Sequence, residues 1–448
     1  MGSDQTEATV RGRDRRYVFH SWSAQGLIDP MPIARAEGVR FFDYAGNGYL
    51  DFGSQLVNAN LGHQHPRVVA AIKEQADRLC TIAPGFANDV RGELAELIVE
   101  RAPAGMAKVF FTNAGADANE NAIRMARAHT GRLKVLSTYR SYHGNTAMAI
   151  SVTGDPRRWA NEPTAPGVSH FFGPYAYRSA FGAADEQEEC RRALAHLEEV
   201  VTLEGASTVA AILLETVVGT NGVLVPPDGY LAGVRDICDR YGIVMICDEV
   251  MVGFGRVGEW FAVQHWDVAP DLVTFAKGVN SGYVPLGGVL ISAEIADTFT
   301  DRVFPGGLTY SGHPLACAAA VGSIRAFEEE HIIDHVRTLG RDVVGPMLAD
   351  LADRHPSVGQ VRGLGLMWAI ELVRNRDTRQ MLVPFNATGA DAEPMTRLAA
   401  ACKRSGLWPF THFNRVHVAP PLVIAEADLK EGIGIIDDAL SVADEYVE

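Results

Sequence analysis

The chain has 448 residues, of which 47% are hydrophobic, and its formal net charge at pH 7 is −15. This length allows two or three domains, or one large domain with a smaller partner, and the acidic balance argues against binding to nucleic acid or to an anionic membrane surface. The six cysteines are scattered without Cys-x-x-Cys spacing, which predicts reduced thiols and a cytoplasmic protein. No apolar run suits a membrane span, and the start has no apolar secretory core.

The chain begins with a polar segment, residues 1–14, for which we predict a loose tail. Gly46-Asn47-Gly48 then separates two aromatic, strand-like runs, which is a strong hairpin signal. Residues 15–60 are therefore predicted to form a small β-containing unit. His63 and His65 follow without a third ligand nearby, so we predict no metal site there.

From residue 90 onward, helical segments alternate with short apolar runs. The strand-like runs are 108–111, 134–136, 209–214, 243–247, 272–275 and 288–292. This alternation predicts a large α/β domain over residues 61–330, with a largely parallel sheet between helices. Residues 174–190, rich in glycine, alanine and acids, are predicted to be a surface excursion. Residues 331–448, together with 15–60, are predicted to form the smaller domain.

Lys277 directly follows the apolar run Leu272–Ala276, which is typical of a buried strand. Burial disfavours the ammonium form and lowers the pKa, which makes a lysine usable as an amine nucleophile that forms a Schiff base with a carbonyl compound. The alternative is a lysine that reaches water from the strand end. These residues alone favour the alternative, so the other motifs decide the question.

Gly115 and Ala116 lie in a small-residue turn between a strand-like run and a helical segment. Amides at a helix N-terminus bind anions, and small residues let a phosphate approach the backbone. The alternative is an ordinary turn in which small residues serve packing. The turn matches neither a Walker loop nor a dinucleotide fingerprint, which argues against a dinucleotide oxidoreductase.

Three further motifs supply an acid, an aromatic ring and a hydroxyl. Asp248 and Glu249 end an apolar run where open α/β sheets bind ligands. A buried carboxylate needs a cationic partner. The candidates are a protonated ring nitrogen, Arg256 and a metal ion. Tyr142 either stacks on a flat ring or caps the core, and Thr309 either contacts a phosphate or belongs to a plain turn. Together with an amine and a phosphate turn, they specify pyridoxal phosphate.

These motifs also resemble a known family. Their order is Asn113-x-Gly115, Ser141-Tyr-His-Gly144, Asp248-Glu-Val-x-x-Gly-Phe-Gly-Arg256, Thr274-Phe-Ala-Lys-Gly278 and Thr309-Tyr-x-Gly-His-Pro314. From about residue 17 to the C-terminus the chain resembles the class III aminotransferases, or ω-transaminases. The resemblance implies an α/β chain of PLP fold type I, in which a large domain holds a mostly parallel sheet of the seven-stranded type between helices, beside a smaller α+β domain.

The resemblance implies transamination between an amino donor (an ω-amino acid or another primary amine) and a 2-oxo acid such as pyruvate or 2-oxoglutarate. The cycle is ping-pong, through an internal aldimine on Lys277, which also moves the proton at the substrate Cα. Asp248 is implied to bond the protonated pyridine nitrogen. Tyr142 and Val250 are implied to pack on opposite faces of the ring.

The resemblance also implies how the rest of the cofactor is held. The amides of Gly115 and Ala116 bind the phosphate, Thr309 reaches it from the neighbouring subunit, and Glu215 lies near the phenolic side. Because the family's active sites form at a dimer interface, a homodimer or a larger homo-oligomer is implied.

The substrate pocket is implied at positions that line it in this family, which in this chain are Phe19, Leu56, Val57, Phe86 and Trp159. Many relatives carry a bulkier aromatic at the position of Val57, which implies a roomier pocket. Relatives often carry a mobile arginine for the acceptor carboxylate about ten residues before a Pro-Pro pair. Counting back from Pro420-Pro421 reaches Phe410 instead, and Arg415 is the nearest candidate.

Two rival functions stay open on the sequence alone. A racemase or aminomutase on the same scaffold uses Lys277 and Asp248 equally well. A catalytically silent relative is the other rival, and the retention of both residues argues against it.

Overall fold

The computed structural model describes residues 6–448. Its strands and helices are numbered in chain order. The strands are β1 (Ile33–Glu37), β2 (Arg40–Asp43), β3 (Gly48–Asp51), β4 (Met106–Thr112), β5 (Lys134–Thr138), β6 (Val168–Phe171), β7 (Val209–Glu215), β8 (Val244–Asp248), β9 (Leu272–Phe275), β10 (Gly287–Ser292), β11 (Val358–Leu364), β12 (Met367–Asn375), β13 (Gln380–Met381), β14 (Leu407–Trp408), β15 (Phe410–His412) and β16 (Arg415–Val418). The helices are α1 (Glu7–Tyr17), α2 (Ser54–Val57), α3 (Pro66–Arg78), α4 (Asp89–Glu100), α5 (Gly115–Thr130), α6 (Ala147–Val152), α7 (Glu186–Glu204), α8 (Tyr230–Tyr241), α9 (Ala293–Asp297), α10 (Pro314–Glu329), α11 (Ile332–Leu339), α12 (Gly345–Arg354), α13 (Glu393–Arg404) and α14 (Glu426–Asp444).

The largest sheet has seven strands in the order β4-β10-β9-β8-β7-β5-β6. All of its pairings are parallel except those of β10, which runs antiparallel to both β4 and β9. Apolar clusters cover both faces, which is why its strands read as continuous apolar runs. The predicted α/β architecture is confirmed. The edge strand β6 was missed because the sequence Val-Ser-His-Phe is short and half polar.

The register of the central strands places polar side chains together at one edge of this sheet. Glu215, the last residue of β7, pairs with Asp248, the last residue of β8, and Asp248 pairs with Thr274 of β9. Because parallel strands end at the same edge, the residues that follow them meet there, and ligands bind at this edge in open α/β sheets.

The first and last parts of the chain share a second sheet. The predicted hairpin is present as β2 and β3, and β14 adds to it in parallel, with Leu407 opposite Leu50. A third sheet has the order β11-β12-β16-β15, and β13 pairs with β12. The division into domains at residues 61–330, and at 15–60 with 331–448, stays a prediction.

One local prediction was wrong, and a second was right only in part. Residues 7–14 belong to helix α1 and are not a loose tail, because Thr6 caps the helix and Arg11 pairs with Glu7 one turn earlier. Residues 1–5 of that prediction lie outside the described residues. The segment 174–190 is only partly a surface excursion, because Tyr175 and Glu189 are buried.

His63 and His65 have different hydrogen-bond partners. His63 bonds Asp51 and His65 bonds Glu330, each at 2.9 Å. Along residues 6–448, no helix combines the length and apolarity needed to cross a membrane.

Arg256 is fully buried and joins distant parts of the chain. Its guanidinium donates to the carbonyls of Leu366 and Pro420 at 3.1 and 2.6 Å, and to side chains of Ser54 and Asn60. The alternative that Arg256 neutralises Asp248 or Glu249 is therefore wrong. Burial lowers the pKa of Arg256 to about 9, and these carbonyl contacts compensate part of its lost hydration.

Glu371 on β12 is a second buried charge, and its carboxylate faces three arginines, Arg178, Arg362 and Arg415. Burial by itself raises the pKa of Glu371, but the charges of the three arginines outweigh burial and hold it well below its usual range. A carboxyl with a depressed pKa stabilises the fold above its unfolded pKa, and the contribution disappears as pH falls through the folded pKa.

We expect the substitution Glu371→Gln to lower the free energy of unfolding at pH 7 by about 3–5 kcal/mol, since it leaves the fully buried Arg415 and the partly buried Arg178 and Arg362 without their anion. Denaturant unfolding followed by circular dichroism measures this. Glu96→Gln, which changes an exposed glutamate, is the control and should be near neutral. A loss no greater than that of the control would contradict the structural role of Glu371.

Candidate active site

The carboxyl edge of the large sheet opens into a cavity of about 600 Å³. This volume is typical of small-molecule sites, which span about 300–1,000 Å³. Residues that the sequence places at strand ends meet on its lining, together with the chain that follows β9. The predicted site residues that line it are Leu56, Gly115, Ala116, Tyr142, Glu215, Asp248, Val250 and Lys277.

Lys277 begins the turn after β9 with a left-handed backbone, φ +45°, which is uncommon for a residue other than glycine. Its side chain is half-buried and lines the cavity. Burial lowers the pKa of Lys277, while the charges of Asp248 and Glu215 act in the opposite direction. The net lowering increases the fraction of neutral amine, which is the nucleophilic form.

Asp248 is buried, and protein donors hold both of its carboxylate oxygens. Oδ2 accepts from His143 Nδ1 at 2.7 Å and from Asn119 Nδ2 at 2.8 Å, and Oδ1 accepts from the amide of Val250 at 2.9 Å. These donors fix the direction of the carboxylate. The cavity therefore holds an oriented anion at the end of β8.

Asn119 and His143 contact Asp248, and no sequence pattern predicted either of them for the site. Asn119 lies one turn into α5 and also accepts from Thr274 at 2.8 Å. His143 has Ser137 as its second partner at 3.2 Å. The signals that could have found them are the helical spacing from Gly115 to Asn119 and the position of His143 next to Tyr142.

Glu215 is the second acid of the cavity. Its carboxylate accepts from the amide of Tyr142 at 2.9 Å and from the amide of Gly219 at 2.7 Å. Burial raises the pKa of Glu215 to about 7, with a further contribution from the charge of Asp248. The group can therefore hold or release a proton near neutral pH.

The N-terminus of α5 leaves free donors beside the cavity. Its N-cap residue, Ala114, offers no side-chain hydrogen bond to the first-turn amides. Such amides and the helix dipole favour an anion such as a phosphate. The approach is narrow, because a Cβ at Gly115 would lie 2.7 Å from Val250 and one at Gly144 would lie 2.4 Å from Ala116.

An amine, an oriented buried anion, an aromatic ring and free helix amides therefore share one cavity. This donor set fits pyridoxal phosphate: the amine suits its aldehyde, the anion its ring nitrogen and the amides its phosphate.

Several residues predicted for the substrate pocket, and Thr309 predicted for the phosphate, do not line the cavity of their own chain. Phe19, Phe86, Trp159 and Thr309 are exposed, Phe19 to 86%. Val57 is buried in an apolar cluster that includes Val217 and Phe410.

Arg415 is fully buried and lies 3.4 Å from Glu371, away from the residues that line the cavity. Phe410 stacks on His417 at 4.5 Å between ring centroids. The position ten residues before the Pro-Pro pair thus carries an aromatic contact in place of an arginine.

The model of one family, aminotransferase class-III, matches residues 23–440. The chain belongs to the class III aminotransferases. A solved taurine:2-oxoglutarate aminotransferase from Bifidobacterium kashiwanohense, in complex with PLP and glutamate, is 44% identical, with all of both chains covered and a TM-score of 0.96.

Two further relatives are similar over most of their length. The taurine–pyruvate aminotransferase of Bilophila wadsworthia is 33% identical, with 98% of each chain covered. The putrescine–pyruvate aminotransferase of Pseudomonas aeruginosa is 36% identical over 89% of this chain and 88% of that protein. As a class III aminotransferase of PLP fold type I, this enzyme uses pyridoxal phosphate to transfer an amino group between an amine and a 2-oxo acid.

In this aminotransferase, we expect Gly115→Ala to weaken the affinity of the apoenzyme for pyridoxal phosphate about tenfold or more, since overpacking costs on the order of 1–3 kcal/mol. The added Cβ must displace Val250, which lines the cavity. Titration of apoenzyme with cofactor, followed by absorbance, measures the dissociation constant. Gly92→Ala, in helix α4, meets no heavy atom within 4 Å and should leave the affinity unchanged. Equal affinity in both variants would contradict a tight fit at Gly115.

Proposed function

We propose that Lys277, Asp248 and the turn at Gly115 and Ala116 form the catalytic and cofactor-binding centre of this transaminase. The observation that supports this most is that the amine, the oriented carboxylate and the uncapped start of α5 face one cavity. When bound, pyridoxal phosphate supplies an electron-withdrawing ring that stabilises charge developing at the substrate Cα.

Lys277 is proposed as the amine that attaches the cofactor and then moves the Cα proton. Its lowered pKa supports this role, because a neutral Nζ is needed to accept a proton. Asp248 is proposed to accept a hydrogen bond from the ring nitrogen and to keep that nitrogen protonated. His143 and Asn119 would then act through Asp248 as positioning residues.

The remaining cofactor contacts follow from the lining of the cavity. Tyr142 and Val250 are proposed to pack on the two faces of the ring, and Glu215 to lie near its phenolic oxygen. The amides of Gly115 and Ala116 are proposed to bind the phosphate. These proposals rest on the observation that all of these residues line the same cavity.

The substrates are proposed to be an ω-amino acid or another primary amine as donor, and pyruvate or 2-oxoglutarate as acceptor. The relatives support this range, since their names give taurine with 2-oxoglutarate, taurine with pyruvate and putrescine with pyruvate. The pocket is proposed to include Phe19, Leu56, Val57, Phe86 and Trp159, whereas Arg415 pairs with Glu371 away from the cavity.

We expect Lys277→Ala to reduce the turnover number more than about a thousandfold, since it removes both the attaching amine and the proton carrier. It should also abolish the visible absorbance that arises from the lysine-bound cofactor. Lys108→Ala, which changes an exposed lysine of β4, is the control. A Lys277→Ala protein that keeps the wild-type absorbance would contradict the proposed centre.

We further propose that the enzyme is a cytoplasmic homodimer whose subunits complete each other's sites. Large apolar side chains are exposed near the N-terminus and next to Thr309, namely Phe19, Trp22, Leu27 and Tyr310, and exposed apolar patches mark interaction surfaces. Five of the six unpaired cysteines are buried, which suits a reducing compartment.

Sedimentation should give a mass twice that of one chain. Thr309→Ala should weaken cofactor affinity about tenfold, since a hydrogen bond to a charged group contributes about 1.5–3 kcal/mol. This residue does not line the cavity of its own chain, so the loss would come from the partner's site. Thr202→Ala, on the exposed side of α7, is the matched control. A monomeric, fully active enzyme would contradict the proposal.

A further inference from the structure

Strained backbone marks the part of the chain that forms one wall of the cavity. In the wall segment (residues 54–61), Ser54, Gln55 and Val57 have a left-handed backbone, with φ of +44°, +60° and +56°. This conformation is uncommon for residues other than glycine, and it is least suited to a β-branched residue. It persists only where surrounding contacts determine it, and such residues cluster at functional sites. Leu56 of the wall segment lines the cavity, so the strain lies at the site itself.

The lysine turn (residues 277–282) packs against the wall segment at Gly278. A Cβ at Gly278 would lie 2.3 Å from Asn60 Nδ2. The backbone of Gly278 is not left-handed, so the reason for a glycine at this position is the close approach of Asn60. The residue before it, Lys277, is itself left-handed, with a φ of +45°. Asn60 therefore contacts the strained turn directly beside the reacting amine's backbone.

Two further contacts join the same two segments. A Cβ at Gly282 would lie 2.2 Å from Asn58 Nδ2, and the amide of Leu61 donates to Ser281 Oγ at 3.0 Å. Asn58 and Gly282 both line the cavity. The wall segment and the lysine turn are thus in contact from one end of the turn to the other. Because protein interiors are close-packed, a shift of one segment displaces the other.

Asn60 is held at both ends of its side-chain amide. Nδ2 donates to the carbonyl of Phe254 at 2.8 Å, and Oδ1 accepts from Arg256 Nη2 at 2.9 Å. The same nitrogen of Arg256 donates to Ser54 Oγ at 3.2 Å, at the start of the left-handed stretch. Asn60 and Arg256 are 1% and 0% exposed, so water does not compete for these bonds. The fold therefore fixes the position of Asn60 against the lysine turn.

We propose that Asn60 and Arg256 are positioning residues that hold the lysine turn in its left-handed conformation and so set the direction of Lys277 Nζ. The inference rests on the proposed function of Lys277. Arg256 orients Asn60, and Asn60 supports Gly278, which follows Lys277 in the chain. Neither Asn60 nor Arg256 is among the residues that line the cavity, so both act through the backbone of the turn. A misplacement of about 1 Å in a reacting group costs about 100-fold in rate, so a small displacement of the turn is measurable.

The first test uses the cofactor-loaded enzyme. We expect Asn60→Ala to lower kcat about tenfold or more. The factor should be similar with taurine and with n-butylamine, because Lys277 transfers a proton for every donor. Asn414→Ala is the matched control, since Asn414 is equally buried, donates to the carbonyl of Leu372 at 2.8 Å and does not line the cavity. It should lose stability in denaturant unfolding but keep kcat within about twofold of the wild type.

A double variant separates positioning from a loss of stability. Gly278→Ala alone places a methyl group against Asn60 and should lower kcat about tenfold or more. In the Asn60→Ala background the amide that this methyl group meets is absent. Adding Gly278→Ala there should lower kcat by less than about threefold. Two substitutions that act independently would instead give losses that multiply.

Hydrogen exchange of the apoenzyme supplies a readout that does not depend on the cofactor or on turnover. The amides of Val279, Ser281 and Gly282 donate within the lysine turn and its flanks, so their exchange reports the order of the turn. Asn60→Ala should accelerate their exchange about tenfold or more, because local opening becomes easier. Asn414→Ala should leave the exchange of these amides unchanged.

Three results would overturn the role of Asn60. They are wild-type kcat and exchange in Asn60→Ala, equal losses of kcat in Asn60→Ala and Asn414→Ala, and a Gly278→Ala loss that is the same in both backgrounds. If Asn60→Ala does not fold, the milder Asn58→Ala removes the contact at Gly282, and unchanged exchange in the lysine turn would then overturn the proposal. If the wild type transfers no amino group from any donor, the proposed function fails, and the exchange measurement still decides whether Asn60 holds the turn.

Discussion

The buried carboxylate of Asp248 depends on contacts from three separate parts of the chain. His143 follows β5, Asn119 lies on α5 and Val250 follows β8, yet all three donate to the same two oxygens. A buried anion without such donors would be costly or would take up a proton. The arrangement of strands around β8 is thus tied to the donors that one carboxylate requires, and the amine of Lys277 lines the same cavity.

The parallel sheet makes this convergence possible because the residues that stabilise it are different from the residues that line the cavity. Apolar clusters on both faces of the sheet stabilise the strands, while the residues just beyond their carboxyl ends are free to be polar. The neighbouring acids Asp248 and Glu249 illustrate these two roles. Asp248 faces the cavity, whereas Glu249 accepts from the amides of Ala262 and Val263 and stabilises a turn.

Buried charges also connect the parts of the molecule that are distant in sequence. Arg256 joins residues near 54–60 to the C-terminal segment, and Glu371 gathers arginines from three places in the chain. Removing one partner of such a group leaves a buried charge uncompensated, so these contacts constrain how the sheets pack beside the cavity.

Much of the fold and of the cofactor site could be predicted from local sequence. The runs around residues 209–214, 243–247 and 272–275 determined buried strands, because continuous apolar residues must be covered on both faces. The turn at Gly115 and the lysine after β9 determined the class of cofactor, because a phosphate, a ring nitrogen and an aldehyde each require a specific type of group. Helix α1 and strand β6 escaped prediction because a capping contact and sheet pairing, respectively, outweigh weak local patterns.

Only the tertiary structure decided which charged residues reach the cavity. Sequence distance pointed to Arg415 as the carboxylate partner, but Arg415 of β16 lies directly opposite Glu371 of β12 and contacts its carboxylate. The sequence by itself determined the strands and the type of chemistry, because these depend on neighbours along the chain. The direction of each charge depends on partners that are distant in sequence, and the fold alone brings them together.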